Sequence, residues 1–115
     1  MNPSDIESMT LKQLRATRNA MFSAQWMLAV QDADPATKTD AARQMLMVNH
    51  AIVVMENKEL SEIRDQLVAN EAALTAGSQS LSHALADLDD TKAVLSAVSG
   101  FLGIVGRIVP LMAGL

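Results

Sequence analysis

One histidine and two aspartates near the chain's last third are the residues whose types and spacing could support metal chemistry. His83 lies one helical turn before Asp87, and Asp90 follows nearly one turn later. Imidazole and carboxylate groups at this spacing could bind a divalent cation with ligands from outside the segment. The segment lacks the glycine and the ligand periodicity of an EF-hand loop. We therefore favour a solvated acidic patch as its interpretation.

The rest of the chain offers little material for catalysis. His50 stands in the apolar segment MVNHAIVVM, where a core or boundary histidine is more common than a metal ligand. The chain contains no cysteine, which excludes disulfides, thiol nucleophiles and thiolate metal sites. The sequence also lacks a nucleophile elbow and a Gly-rich phosphate loop. We expect a protein that is not an enzyme, without catalytic residues, cofactor or metal.

Composition and charge restrict both the fold class and the partners. Of the 115 residues, 50% are hydrophobic and only 3% are aromatic, and helix-forming residue types dominate. An all-α fold is predicted. The net charge of −4 and the scattered basic residues argue against nucleic-acid binding. The first residues, MNPSDIESM, do not resemble a secretory signal peptide, so the localisation stays unknown.

Stop signals and helix periodicity divide the chain into three segments. Residues 1–33 form the predicted N-terminal helix, which ends at QDADPAT. Residues 34–92 form a predicted long helix, with a bend or turn at 77–80 as the alternative. Residues 93–115 form a hydrophobic, glycine-containing C-terminal helix.

Leucines recur at intervals of seven residues along most of the chain. A row with this period is typical of a coiled-coil seam, and a second row three residues further on contains Asn70 and Val98. A polar residue such as Asn70 can set the register of such a seam. We predict a long antiparallel helical hairpin or a three-helix bundle with coiled-coil heptads, assembled into a homo-oligomer. The seam residues proposed are Leu60, Leu67, Asn70, Leu74, Leu81, Leu88, Leu95 and Leu102, and Leu46, Val53 and Val109 extend the row.

The C-terminal segment 93–115 has two unlike faces. Val98 and Val109 belong to a bulky face, whereas Gly100, Gly103 and Gly106 lie on a face of small residues beside Arg107. The whole segment is long enough to span a bilayer, with Arg107 close enough to the end to reach the headgroups. Its charge-free part, residues 93–106, has only the length that is usual for a helix buried in a protein core. Both membrane contact and packing inside the bundle therefore stay open.

Two functions fit these patterns. In the first, a non-enzymatic assembly protein oligomerises through the leucine seam and uses its C-terminal helix for membrane insertion or tight packing, as in a pore, ejection or virion component. In the second, a soluble helical-bundle adaptor or inhibitor binds one protein partner and buries that helix as core. The partner surface would then be the basic Lys12–Arg18 face or a cluster that doubles as candidate core: Met21, Phe22, Trp26, Met27, Met45, Met47 and Met55.

Overall fold

All regular secondary structure in residues 1–111, the part that the computed structural model describes, is helical. The helices are α1 (Pro3–Met21), α2 (Ala24–Gln31), α3 (Pro35–Glu56), α4 (Leu60–Ala69), α5 (Glu71–Leu85) and α6 (Thr91–Val105). They pack as a bundle of 43 × 28 × 18 Å, in which α1 contacts α3, α4 and α5, and α6 contacts α3 and α5. The all-α prediction is confirmed. Residues 112–115 of the predicted C-terminal helix lie outside the described residues.

The predicted N-terminal helix is divided into α1 and α2. Asn2 caps α1 by accepting the Asp5 N–H at 2.8 Å, and Pro3 occupies the first turn. The chain leaves the helix at Phe22. Ser23 then accepts the Trp26 N–H at 3.2 Å and starts α2. This side-chain hydrogen bond of Ser23 competes with continuation of α1 and allows the chain to break there without a glycine or proline.

The predicted long helix over residues 34–92 is replaced by three helices and a turn. Asp34 begins α3 by accepting the Thr37 N–H at 2.7 Å, a hydrogen bond that lowers the pKa of Asp34. The first two breaks fall at asparagines. The Nδ2 of Asn57 donates to the Val53 carbonyl and that of Asn70 to the Gln66 carbonyl, each at 2.8 Å. These side-chain amides satisfy carbonyls at the helix end, where the regular ladder stops.

The suspected bend at residues 77–80 lies inside the continuous helix α5. Gly77 is nevertheless needed there, because a Cβ atom at this position would lie 3.0 Å from Ile104 Cδ1 and 3.1 Å from Phe101 Cδ1 of α6. The glycine therefore serves close packing of α5 on α6. The turn comes after Leu85 instead, and Asp90 caps α6 by accepting the Ala93 N–H at 3.2 Å.

The heptad leucines form the core of a single chain. Leu60 and Asn70 are half-buried, whereas the other six seam positions are buried: Leu67, Leu74, Leu81, Leu88, Leu95 and Leu102. Because neighbouring helices of the same chain cover these side chains, an oligomer built on them would compete with the chain's own core. Self-association through this row stays a prediction.

The two faces of the C-terminal segment have opposite environments. Val98 and Val109 are buried, and Gly100, Gly103, Gly106 and Arg107 are exposed. A Cβ atom added at either Gly100 or Gly103 would meet nothing within 4 Å. Among residues 1–111, no helix combines the length and apolar character that a membrane crossing requires.

Candidate protein-binding surface

In the described residues, the histidine and acidic side chains that could support metal chemistry do not form a reactive site. His83, Asp87 and Asp90 line one shallow cleft. Both aspartates bond backbone N–H groups there, Asp87 that of Asp89 at 3.3 Å and Asp90 that of Ala93. Within residues 1–111, no three histidine or acidic side chains come close enough together to hold a metal ion. These residues therefore act on local turn structure.

An apolar groove lies between α2 and α3. The break at Ser23 turns α2 onto α3, and the buried Trp26 fixes it there. The groove measures about 390 Å³, and Gln31 and Lys38 are its polar lining residues. The apolar lining comes from both helices: Trp26, Met27, Val30, Ala41, Ala42 and Met45.

Large apolar side chains are exposed on both sides of this groove. On α2, Met27 is 51% and Leu28 is 63% exposed. On α3, Leu46 is 61% and Val53 is 54% exposed, two turns apart. Met27 and Met45 line the same groove, and Leu28 and Leu46 are their neighbours in the chain, so the apolar surface crosses from one helix to the other. Groups of exposed apolar residues of this kind commonly mark interaction sites. We call this surface the α2–α3 face.

The structure divides the predicted Met/Trp cluster between core and surface. Met21, Trp26 and Met55 are buried. Met45 and Met47 pack partly against the core, while Met27 and Phe22 are exposed. The core interpretation thus holds for the buried members, and the binding interpretation stays a prediction for the exposed ones. Methionine spacing could not separate them, because the break between α1 and α2 sets which side chains turn outward.

The Lys12–Arg18 face is less available as a binding surface. Lys12 is exposed and Arg18 is half-buried. Arg15 joins α1 to the end of α3, since its Nη2 lies 3.0 Å from Glu56 Oε2. An exposed pair of this type contributes at most about 1 kcal/mol to stability. The face is a solvated helix surface in which one of its cations is already paired.

Comparisons with known proteins leave the function to be inferred from these surfaces. No protein-family model, curated protein or solved structure matches this chain. The α2–α3 face combines an open groove with exposed apolar side chains on both of the helices that form it. It is therefore the candidate functional site.

Proposed function

We propose that this chain is a non-enzymatic helical interaction module whose α2–α3 face binds an amphipathic helix of a partner protein. The observation that carries the proposal is the exposure of Met27, Leu28, Leu46 and Val53 on the two helices that form one apolar groove. Burying the exposed part of each side chain is worth about 1 kcal/mol. Together with the apolar lining of the groove, these contacts supply the favourable part of the binding free energy for a short helix, against the entropy cost of association.

The spacing of the exposed residues fits a helical occupant. Leu46 and Val53 lie seven residues apart, which places them about 10 Å apart along one side of α3. A partner helix carries apolar residues at the same two-turn spacing and can align them with this pair. Methionines such as Met27 and Met45 adapt their shape to such side chains.

Self-association through the same face is the second candidate function. Leu46 and Val53 are the two members of the extended heptad row that remain well exposed, whereas most of the later leucines are buried. A homo-oligomer would therefore use the beginning of the predicted seam. Membrane insertion of residues 93–115 stays a prediction. It would require the bulky face of α6, which is buried in the bundle, to leave the core.

The single tryptophan allows a direct test. We would titrate the protein with a dansylated 14-residue amphipathic leucine peptide and follow energy transfer from Trp26, which lines the groove. Leu46→Glu is expected to weaken binding by about tenfold or more, because a carboxylate would be desolvated in an apolar contact. Val68→Glu is the matched control, since Val68 is 54% exposed on α4.

Solution mass measured by light scattering separates the two candidates. A monomer that binds the peptide at the α2–α3 face supports partner binding. A dimer that Leu46→Glu dissociates, without peptide binding, supports self-association instead. If Leu46→Glu and Val68→Glu have equal effects on both readouts, the face has no specific role and the proposal fails.

A further inference from the structure

A second groove runs along the opposite flank of α3, between α3 and α6. Its wider half measures about 380 Å³ and lies between Thr37 and Lys92, near the first turns of the two helices. The other half measures about 330 Å³ and ends at Met47 and Gly103. Both halves share Gln44. Residue numbers rise together along both walls, so the two helices run in the same direction and form one continuous groove.

Gln44 holds an unsatisfied hydrogen-bond acceptor that is buried beside this groove. Its side chain is only 5% exposed, and its Nε2 donates to Asp40 Oδ2 at 3.0 Å. Because a carboxylate only accepts hydrogen bonds, this contact fixes the orientation of the amide. The Gln44 Oε1 atom then has no donor among the described residues. A buried acceptor of this kind costs stability unless a donor is supplied.

The α6 wall of the groove consists of small side chains. Ser96, Ser99 and Gly103 follow one another along the exposed side of α6. A Cβ atom at Gly103 would meet nothing within 4 Å. In the described part of the chain, the two serine hydroxyls make no hydrogen bond to protein. A bound backbone can therefore approach α6 closely and find donors there.

The groove wall carries two cations, Arg43 and Lys92, and one carboxylate, Asp40, although the whole chain is acidic. No acidic residue occurs from Thr91 to Leu111, whereas Lys92 and Arg107 are exposed. Arg43 contacts Asp40 at 2.7 Å, is 58% exposed at its side chain, and retains further N–H donors for a ligand. Lys92 also faces Asp34, but that carboxylate is engaged in capping α3.

We infer that the α3–α6 groove binds an acidic, extended peptide segment of a partner protein. Carboxylates of the segment pair with Lys92 and Arg43 at one end and, at the other, with Arg107, which follows α6 and lies outside the groove lining. Gln44 Oε1 is covered in the free chain, so the Gln44 side chain turns toward the groove on binding and accepts a backbone N–H of the segment. An extended segment supplies that N–H, whereas the N–H groups of a helix are already used in its own ladder.

Charge also distinguishes this occupant from a second copy of the chain. Two α6 helices packed antiparallel across their small faces would bring Lys92 of one near Arg107 of the other. Like charges opposed in this way disfavour the contact. The inference is independent of the α2–α3 face, because the groove lies on the other side of α3 and takes a ligand of different chemistry.

The probe is a fluorescent heptapeptide with blocked ends, glutamates at both termini, and alanine and leucine between them. From Lys92 to Val105, α6 rises about 20 Å, and Arg107 lies two residues further on; about seven extended residues span this length. Binding is followed by fluorescence anisotropy at low and moderate salt. The matched peptide has lysine in place of every glutamate.

Three variants and one control locate the binding. Lys92→Glu and Gln44→Met each are expected to weaken binding about tenfold, and Gly103→Leu is expected to abolish it by filling the groove. Unfolding by urea checks that these variants remain as stable as the parent chain. Lys12→Glu makes the same charge change on an exposed site of α1 and is expected to leave binding within about twofold.

Each outcome bears on the inference. Preference for the glutamate peptide, together with loss in the groove variants alone, supports it. Equal binding of the lysine peptide, equal loss in Lys12→Glu, or no binding by a folded parent chain overturns it. If Gln44→Met leaves the binding constant unchanged, the assigned role of Gln44 is overturned. Attraction between the peptide and the exposed cations alone would not need that acceptor.

Discussion

Gly77 of α5 and Gly103 of α6 give opposite predictions for the same substitution, glycine to leucine. At Gly77, even a Cβ atom would lie 3.0 Å from Ile104 Cδ1 and 3.1 Å from Phe101 Cδ1. The end of Ile104 can rotate away, but the ring of Phe101 is buried and has no space to move into. Leucine at position 77 adds three further carbons to this contact. We expect the core between α5 and α6 to be forced apart.

The magnitude follows from two opposing effects. Replacing glycine by leucine inside a helix gains about 0.8 kcal/mol from helix propensity. Overfilling a packed core costs about 1–3 kcal/mol. The free energy of unfolding of Gly77→Leu is therefore expected to fall by up to about 2 kcal/mol. Gly103→Leu keeps the propensity gain without the cost, because nothing lies within 4 Å of its Cβ position, and is expected to be more stable by about 0.5–1 kcal/mol.

Urea unfolding followed by helical circular dichroism measures both variants. With a slope of about 1–3 kcal/mol per molar urea, the two midpoints should move in opposite directions and differ by about 1 M. Equal shifts of the same sign would refute the assignment of Gly77 as a packing glycine. Stabilisation by Gly77→Leu would mean that α5 and α6 are not in close contact at this point.

Three further substitutions test other parts of the bundle. Gln13→Ala removes the acceptor, Oε1, to which Ser78 and Ser82 donate at 2.8 and 2.9 Å, and should lower the free energy of unfolding by about 1–3 kcal/mol in urea. Trp26→Ala should lower it by about 3–5 kcal/mol, since Trp26 is fully buried. The pKa of Asp34 lies below its ordinary value of 3.8 because it accepts hydrogen bonds from Thr37. Its ionised form therefore stabilises the fold above pH 3.8 and loses this effect as the pH falls through the lowered pKa. Asp34→Asn should keep the cap at pH 7 and show a smaller loss of melting temperature on acidification.

Local signals in the sequence were enough for the helix class and for some of the boundaries. The pair Asp34–Pro35 specifies both a cap and a first turn, and α3 begins there. The breaks at Ser23, Asn57 and Asn70 carry no glycine or proline, so helix propensity alone does not reveal them. They carry local side-chain hydrogen bonds to the backbone, which compete with a continuous helix but which the same residue types do not form at every position.

The leucine row shows a second limit of sequence reasoning. A seven-residue period identifies which face of a helix is apolar, but it does not say which helix covers that face. In this chain the breaks after α3, α4 and α5 let the row fold back on α1, α3 and α6. Only Leu46 and Val53 stay well exposed, because they precede the first break. The candidate binding face thus depends on where the helices end.

Helix α3 contributes to both proposed surfaces, which leads to a final prediction about their independence. Ala42 and Met45 line the α2–α3 face, whereas Arg43 and Gln44 line the α3–α6 groove. The first pair and the second pair point to opposite flanks of one regular helix. Neither ligand therefore needs to move α3 in order to bind. We expect the leucine peptide and the glutamate peptide to bind at once, with each affinity changed less than about threefold by the other. Leu46→Glu should affect only the first peptide and Lys92→Glu only the second. Competition between the peptides would show that the two surfaces are not separate.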